Sequence, residues 1–234
     1  MDAIFGLILL LIVAGVTWCV AGEGAWGAVL TFLSVLFAGL LAMNFFEPLA
    51  NLLDSMIGSA VQDYSDLVAL LGLFALFTFL LRLASDNISP TEIEVDGRLH
   101  QVTRWLFGLA TGYLTMAILL TAVHTAPLPR SFLGFKPEGT NFFDIAAPDR
   151  QWLGFTQHVS EKVLSTGKIF DGPRYAMPED GGEKRIWPSF PIRYATKRQD
   201  YASGRKPNSI GGGVGPAPGA PPAPAGGNAP QAGF

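Results

Sequence analysis

The run "WLFGLATGYLTMAILLTAV", residues 105–123, contains no charged residue. About 20 apolar residues are needed for a helix to cross the hydrocarbon core of a bilayer. Because lipid offers no hydrogen bonds, such a segment must satisfy its own backbone as a helix. Two glycines stand four residues apart in it, Gly108 and Gly112, although glycine costs a helix in water about 1 kcal/mol relative to alanine. We interpret this pair as a helix-packing site, either within one bundle or between two copies of the chain.

Three further apolar segments precede this run. They predict membrane spans at about 4–21, 25–43 and 67–84, where Arg82 can extend its charged head out of the third span. The first segment lacks the basic start of a secretory signal and is longer than the usual apolar region of one, so we expect it to be retained. Residues 1–125 are therefore predicted to form a four-helix transmembrane domain.

Composition supports a membrane-embedded half followed by a polar half. The mean hydropathy is +0.33 and only 15% of residues are charged, against about 25% in soluble domains. Residues 1–125 hold ten acids and three bases, a net charge of −7; the remainder holds nine acids and thirteen bases, a net charge of +4. The fold class predicted is an all-α membrane protein with a mostly irregular tail.

The connection after the second span is expected to begin with a turn at Glu47 and Pro48 and to form a separate amphipathic helix over 47–66. Its polar face has no lysine or arginine, so we expect it to lie at the membrane interface packed on its own protein rather than on anionic lipid. In the next connection, Asp96 is expected to cap a helix that begins near Gly97 and continues into the fourth span.

The region 126–202 is predicted to be polar and mostly irregular, with one helix at about 148–165. Trp152, Phe155, Val159 and Val163 form an apolar stripe that could dock on the membrane surface or on the bundle, and Asp149 falls in the polar set of this helix. Residues 203–234 are rich in glycine, proline and alanine, a composition that cannot bury a core and predicts disorder.

Motifs for catalysis and for cofactor or metal binding are not found in the sequence. The three histidines, His100, His124 and His158, fall on three different predicted elements, and no paired spacing indicates a metal site.

The single cysteine, Cys19, excludes an internal disulfide and is expected to be a small buried apolar residue. The spans carry no ionisable residue except at their ends, which argues against a proton-coupled transporter. The basic residues of 184–206 have no periodic face, so nucleic-acid binding is not expected. We therefore predict a non-enzyme without a cofactor.

The order of features resembles the colicin V production protein (CvpA) family over about residues 1–125. There the second span closes on an alanine, aromatics and a Pro-Leu-Ala type turn, matched by "AMNFFEPLANLL", residues 42–53; the last span opens on two spaced glycines, matched by Gly108 and Gly112. Two departures are Thr111, where the family usually has a basic residue, and the hairpin Gly22-Glu23-Gly24, which is usually basic. The resemblance implies a bacterial inner-membrane protein required for colicin V production and secretion, with a role in envelope homeostasis.

Three hypotheses for function remain open. The first is a non-enzymatic membrane protein that acts in the lipid bilayer through contacts with itself or with a membrane protein partner; no small-molecule substrate is identified. The second is a channel or transporter subunit, and the third is an anchor that presents its C-terminal tail to a partner. Arg82, Arg98 and Arg104 lie on the side opposite the termini, which favours extracytoplasmic termini.

Overall fold

The computed structural model describes residues 2–57, 64–88, 96–128, 134–135, 140–164, 174–178, 184–188, 190–191, 194–195 and 198–199. Its helices are α1 (Asp2–Ala21), α2 (Gly24–Ile57), α3 (Ser65–Ile88), α4 (Gly97–Thr125) and α5 (Pro148–His158), and α5 continues into a π-helical turn, Val159–Val163. Each of the first four helices is long and apolar enough to cross a membrane. The predicted helical membrane fold with four spans is confirmed.

The four long helices alternate in direction, with α4 packed between α1 and α2, while α3 packs mainly on α2. Residues 22–23 form the tight turn that joins α1 to α2, and Gly24 follows with a φ of 85°, a backbone conformation open to glycine. The two helices of this hairpin nevertheless touch each other little, because α1 packs mainly on α4, whereas α2 packs on α3 and α4. The central position of α4 explains why its apolar run has more buried positions than the other spans.

Two apolar cores lie on opposite sides of α4. The smaller core joins α1 to α4 and is closed by Phe135, which follows the last span; its other buried members are Leu9, Val13, Met116 and Leu120. The larger core joins α2, α3, α4 and α5, and includes Phe46, Leu70, Ile118, Trp152, Phe190 and Tyr194. Residues beyond the fourth span therefore contribute to both cores, and the chain after Ala126 is in part docked on the bundle.

Outward-facing positions of the spans are also apolar. Leu11 and Trp18 on α1, and Phe79 on α3, are each more than 60% exposed. In a bilayer these side chains contact lipid tails, so their exposure carries no cost. Cys19 belongs to the same outer surface and is exposed, which corrects the expectation of a buried cysteine.

Helix α2 runs without a break through Glu47 and Pro48 to Ile57. The predicted turn at these two residues is wrong, and so is a separate amphipathic helix starting there. Proline removes one backbone hydrogen bond from a helix interior. The helix persists because Phe46 and Ala50, on either side of the proline, are both buried in the larger core. Part of the predicted amphipathic segment, residues 58–63, lies outside the described residues.

The predicted helix at 148–165 corresponds to α5 and its π-helical turn. Two members of its apolar stripe, Trp152 and Val159, are buried, whereas Phe155 and Val163 are exposed. Asp149, which the pattern placed on the polar face, is fully buried, because the buried face of α5 is rotated relative to the stripe.

Two short strands in the polar region were not predicted. Strand β1 (Arg174–Pro178) pairs antiparallel with β2 (Lys184–Pro188), with Ala176 opposite Ile186. Five-residue strands that end in proline give little alternation by which a sequence could reveal them. The tail at 203–234, predicted to be disordered, lies outside the described residues.

An ion pair ties the α1–α2 turn to the end of α3. Arg82 Nη2 lies 3.0 Å from Glu23 Oε2, and Arg82 Nη1 lies 3.2 Å from Asp86. The hydroxyl of Thr31 donates a 2.6 Å hydrogen bond to the same glutamate oxygen. Arg82 thus extends to the end of its helix, as its place in the sequence predicted.

Exchange of Glu23 for glutamine is expected to have a small effect. The pair is partly exposed, and such pairs contribute about 0–1 kcal/mol. Thermal unfolding in mild detergent should therefore show a midpoint close to that of the parent, with the difference shrinking further as salt is added. A large loss of stability in Glu23→Gln, but not in the exposed-site control Lys162→Ala, would contradict this estimate.

Candidate helix-packing site

Gly108 and Gly112 lie on the face of α4 that contacts α1. A Cβ atom placed on Gly112 would lie 2.7 Å from the backbone oxygen of Val13 and 2.9 Å from Thr17 Oγ1. A Cβ atom on Gly108 would lie 3.0 Å from the backbone oxygen of Thr17. The distances at Gly112 are shorter than real Cβ contacts, and the distance at Gly108 is tighter than most of them, so the two backbones approach closely because both positions lack a side chain. The structure places the glycine pair at an intramolecular contact.

Helix α4 also carries threonines on its buried faces. Thr111 and Thr121 donate hydrogen bonds to the carbonyls of Phe107 and Ala117, four residues earlier in the same helix. Because these bonds satisfy the hydroxyls within α4, the two threonines need no hydrogen-bond partner from another helix. Their side chains are also small. The middle of α4 can therefore pack closely on both neighbours.

A second close approach joins α2, α4 and α5. A Cβ atom on Gly39 would lie 2.7 Å from Ile118 Cδ1 and 2.8 Å from Trp152 Cζ2. The absence of a side chain at Gly39 makes room for the indole of Trp152 against α2. The position of α5 on the bundle thus depends on a glycine in a span far from it in the sequence.

A fully buried polar contact joins the end of α4 to the start of α5. His124 Nε2 lies 2.8 Å from Asp149 Oδ2, and both side chains are 0% exposed. The other polar atoms of the pair, His124 Nδ1 and Asp149 Oδ1, have no hydrogen-bond partner among the described residues. A buried polar pair of this kind is costly to break, since either partner alone would be left unsatisfied.

Aromatic rings enclose this pair. The ring of Phe135 packs edge-on against His124 at 4.9 Å, and Phe190 approaches it at 6.3 Å. The guanidinium of Arg198 in turn lies over the ring of Phe135, 5.5 Å from its centroid. Two residues beyond Asp149, Gln151 accepts a hydrogen bond from the hydroxyl of Tyr113. The segment after the last span is thus held to α4 by polar as well as apolar contacts.

Sequence reasoning did not single out this pair, because its members are 25 residues apart and lie on different elements. The available signal was a histidine in the last turn of a span followed by an aspartate in the first turn of the next helix. Glu47 and Pro48 lie in α2 and do not join the glycine site. Asp96 holds the predicted N-cap position of α4, but its side chain makes no capping hydrogen bond.

The described contacts form a site of helix packing and docking. Among the described residues, no group of three histidine, cysteine, aspartate or glutamate side chains could hold a metal ion. Four apolar helices, a glycine contact and a docked fifth helix define an integral membrane protein of the helical-bundle class.

The comparison with known families identifies the bundle. The colicin V production protein family matches residues 5–137, more than half of the chain, and the chain belongs to that family. The match begins inside α1, covers all four spans and ends just after Phe135, so it includes the glycine pair and His124 but not Asp149. No curated protein and no solved structure matches the chain.

Proposed function

We propose that this chain is a non-enzymatic protein of the bacterial inner membrane that supports colicin V production and secretion and envelope homeostasis. The observation that carries the proposal is the family match over residues 5–137. The glycines of α4 serve close approach to α1 within the chain, so they support a tightly packed bundle. The proposed activity consists of contacts of this bundle with itself or with a membrane protein partner.

The proposed orientation has both termini outside the cytoplasm. Arg98 and Arg104 lie at the start of α4, at the same end of the bundle as Arg82, and positively charged connections usually remain in the cytoplasm. A reporter fused to Phe234 tests this directly: an enzyme active only after export should be active, and one active only in the cytoplasm should not.

The proposed function is tested in a bacterium that makes colicin V and lacks its own family member. Expression of this chain is expected to restore secretion of the toxin and resistance to envelope stress. Normal membrane levels of the chain without restoration of either phenotype would refute the proposal. Steady conductance of the purified chain in liposomes would instead support a channel.

Two truncated chains separate the anchor hypothesis from the proposal. A chain ending at Thr125 is expected to fail, because it retains His124 but loses Asp149, Phe135 and Trp152, which cover the bundle. A chain ending at residue 202 is expected to restore both phenotypes, because the Gly/Pro/Ala-rich composition beyond it cannot form a core. Failure of the chain ending at 202, with normal membrane levels, would favour an anchor whose tail does the work.

A further inference from the structure

Two tryptophans meet where the contact between α1 and α4 approaches the α1–α2 turn. The uncharged run of α4 begins at Trp105, directly after Arg104, and Trp18 lies in the last turn of α1, five residues before Glu23. The rings of Trp18 and Trp105 lie 6.2 Å apart and are 73% and 42% exposed. Tryptophan concentrates at the boundary between hydrocarbon and water. The ends of the two uncharged runs and the two rings therefore mark the same level, that of the lipid headgroups.

Arg104 lies beside these rings without a described counter-charge. Its guanidinium lies over the ring of Trp105, 5.5 Å from the centroid. The side chain is half-buried, and its Nε is buried without a hydrogen-bond partner among the described residues. The ion pairs described at this end belong to Arg82, and Asp96 precedes Arg104 by eight residues, about 12 Å along the helix. A charged group at the edge of hydrocarbon is costly to leave unpaired, so this guanidinium calls for an anion.

The anion available at this level is the phosphate of a phospholipid. A guanidinium stacks on aromatic faces and directs its N–H groups in its own plane, where a phosphate accepts them in pairs. One turn farther into the span, on the same face as Trp105, Leu109 is 53% exposed and available to the acyl chain of the same lipid. We propose that Arg104, Trp105 and Trp18 form a binding site for the phosphate headgroup of an anionic phospholipid.

A headgroup of net negative charge suits the site better than a zwitterionic one. The ammonium of a zwitterionic headgroup attracts its own phosphate and competes with the guanidinium for it. Inorganic phosphate lacks the acyl chains that the exposed leucine and the two rings contact, so it should bind more weakly than a lipid. The proposal concerns lipid and does not depend on a role of the chain in toxin production.

Lipid titration of the purified full-length chain tests the site. Phosphatidylglycerol is added in mild detergent, and the lipid concentration that gives half of the rise in the thermal unfolding midpoint is measured. Arg104→Gln removes the charge, Arg104→Lys keeps the charge without the planar fork, and Trp105→Leu removes the ring. Arg98→Gln, at an exposed position of the same helix, is the matched control. Phosphatidylcholine with the same acyl chains and inorganic phosphate are the comparison ligands.

Arg104→Gln is expected to require at least about tenfold more phosphatidylglycerol, the weakening that follows from losing one hydrogen bond to a charged group. Arg104→Lys and Trp105→Leu should fall between this variant and the parent, whereas Arg98→Gln should titrate like the parent. Phosphatidylcholine should bind more weakly than phosphatidylglycerol, and inorganic phosphate should leave the midpoint unchanged.

Three results would overturn the proposal. Equal titrations of Arg104→Gln and Arg98→Gln would reduce the lipid effect to general surface charge. A midpoint of Arg104→Gln that is lowered by the same amount with and without lipid would assign the guanidinium to an acid of the chain. A rise with inorganic phosphate as large as that with phosphatidylglycerol would show an anion site that takes no lipid.

Discussion

Gly112→Leu is expected to separate α1 from α4 and to destabilise the bundle strongly. The first carbon of any side chain at this position would meet the backbone oxygen of Val13 at 2.7 Å, and a backbone atom cannot move aside as a flexible side chain can. Forcing extra carbons into a packed contact typically costs about 1–3 kcal/mol, and a leucine against backbone belongs at the upper end or above. The measurement is thermal unfolding and size-exclusion elution in mild detergent.

Other glycines provide matched controls for this change. Gly15 on α1 and Gly72 on α3 have no heavy atom within 4 Å of a Cβ position, so leucine there would project into lipid. Gly15→Leu and Gly72→Leu are expected to keep the stability of the parent. Equal midpoints and elution profiles for Gly112→Leu and these controls would show that the glycine pair does not set the α1–α4 distance. Loss of a dimer with an unchanged midpoint would instead place the pair at an interface between copies.

Asp149→Ala is expected to release α5 from the bundle. The change leaves His124 buried without its partner at 2.8 Å, and leaving a buried polar group without its hydrogen bond costs about 1–3 kcal/mol. Because Trp152 follows Asp149 by one turn of α5, its packing on Gly39 should be lost together with the pair. Limited proteolysis should then cut within 140–164 much faster than in the parent, while the fragment containing the four spans persists.

A double variant separates the pair from its surroundings. His124→Leu with Asp149→Leu removes both polar groups, and replacement of a buried pair by apolar side chains is often neutral or stabilising. We therefore expect the double variant to regain most of the protection against proteolysis, a coupling that a double-mutant cycle measures. Glu161→Ala, at an exposed position of the π-helical turn, is the single-site control. Protection in Asp149→Ala equal to that in Glu161→Ala would exclude the pair as the link between α4 and α5.

The spans could be predicted because lipid leaves a long apolar segment one backbone solution. Each predicted span lies within one observed helix, and α4 begins at Gly97 as its pattern indicated. The ends of elements were harder to predict where packing opposes local preference. Pro48 favours the end of a helix, yet the burial of Phe46 and Ala50 carries α2 past it to Ile57. A prediction that considers only neighbours in sequence cannot include the free energy gained by burying these two side chains.

What the sequence determined by itself is the set of membrane helices and the presence of two closely spaced glycines on the last of them. Periodicity and hydropathy are local properties, and local properties suffice for both. Tertiary structure alone decided that these glycines face Val13 and Thr17, and that α4 rather than α2 is the main partner of α1. It also decided that Asp149, polar by its pattern, is buried against His124. Both results depend on contacts between distant segments, whose free energy outweighs the local preference of either residue.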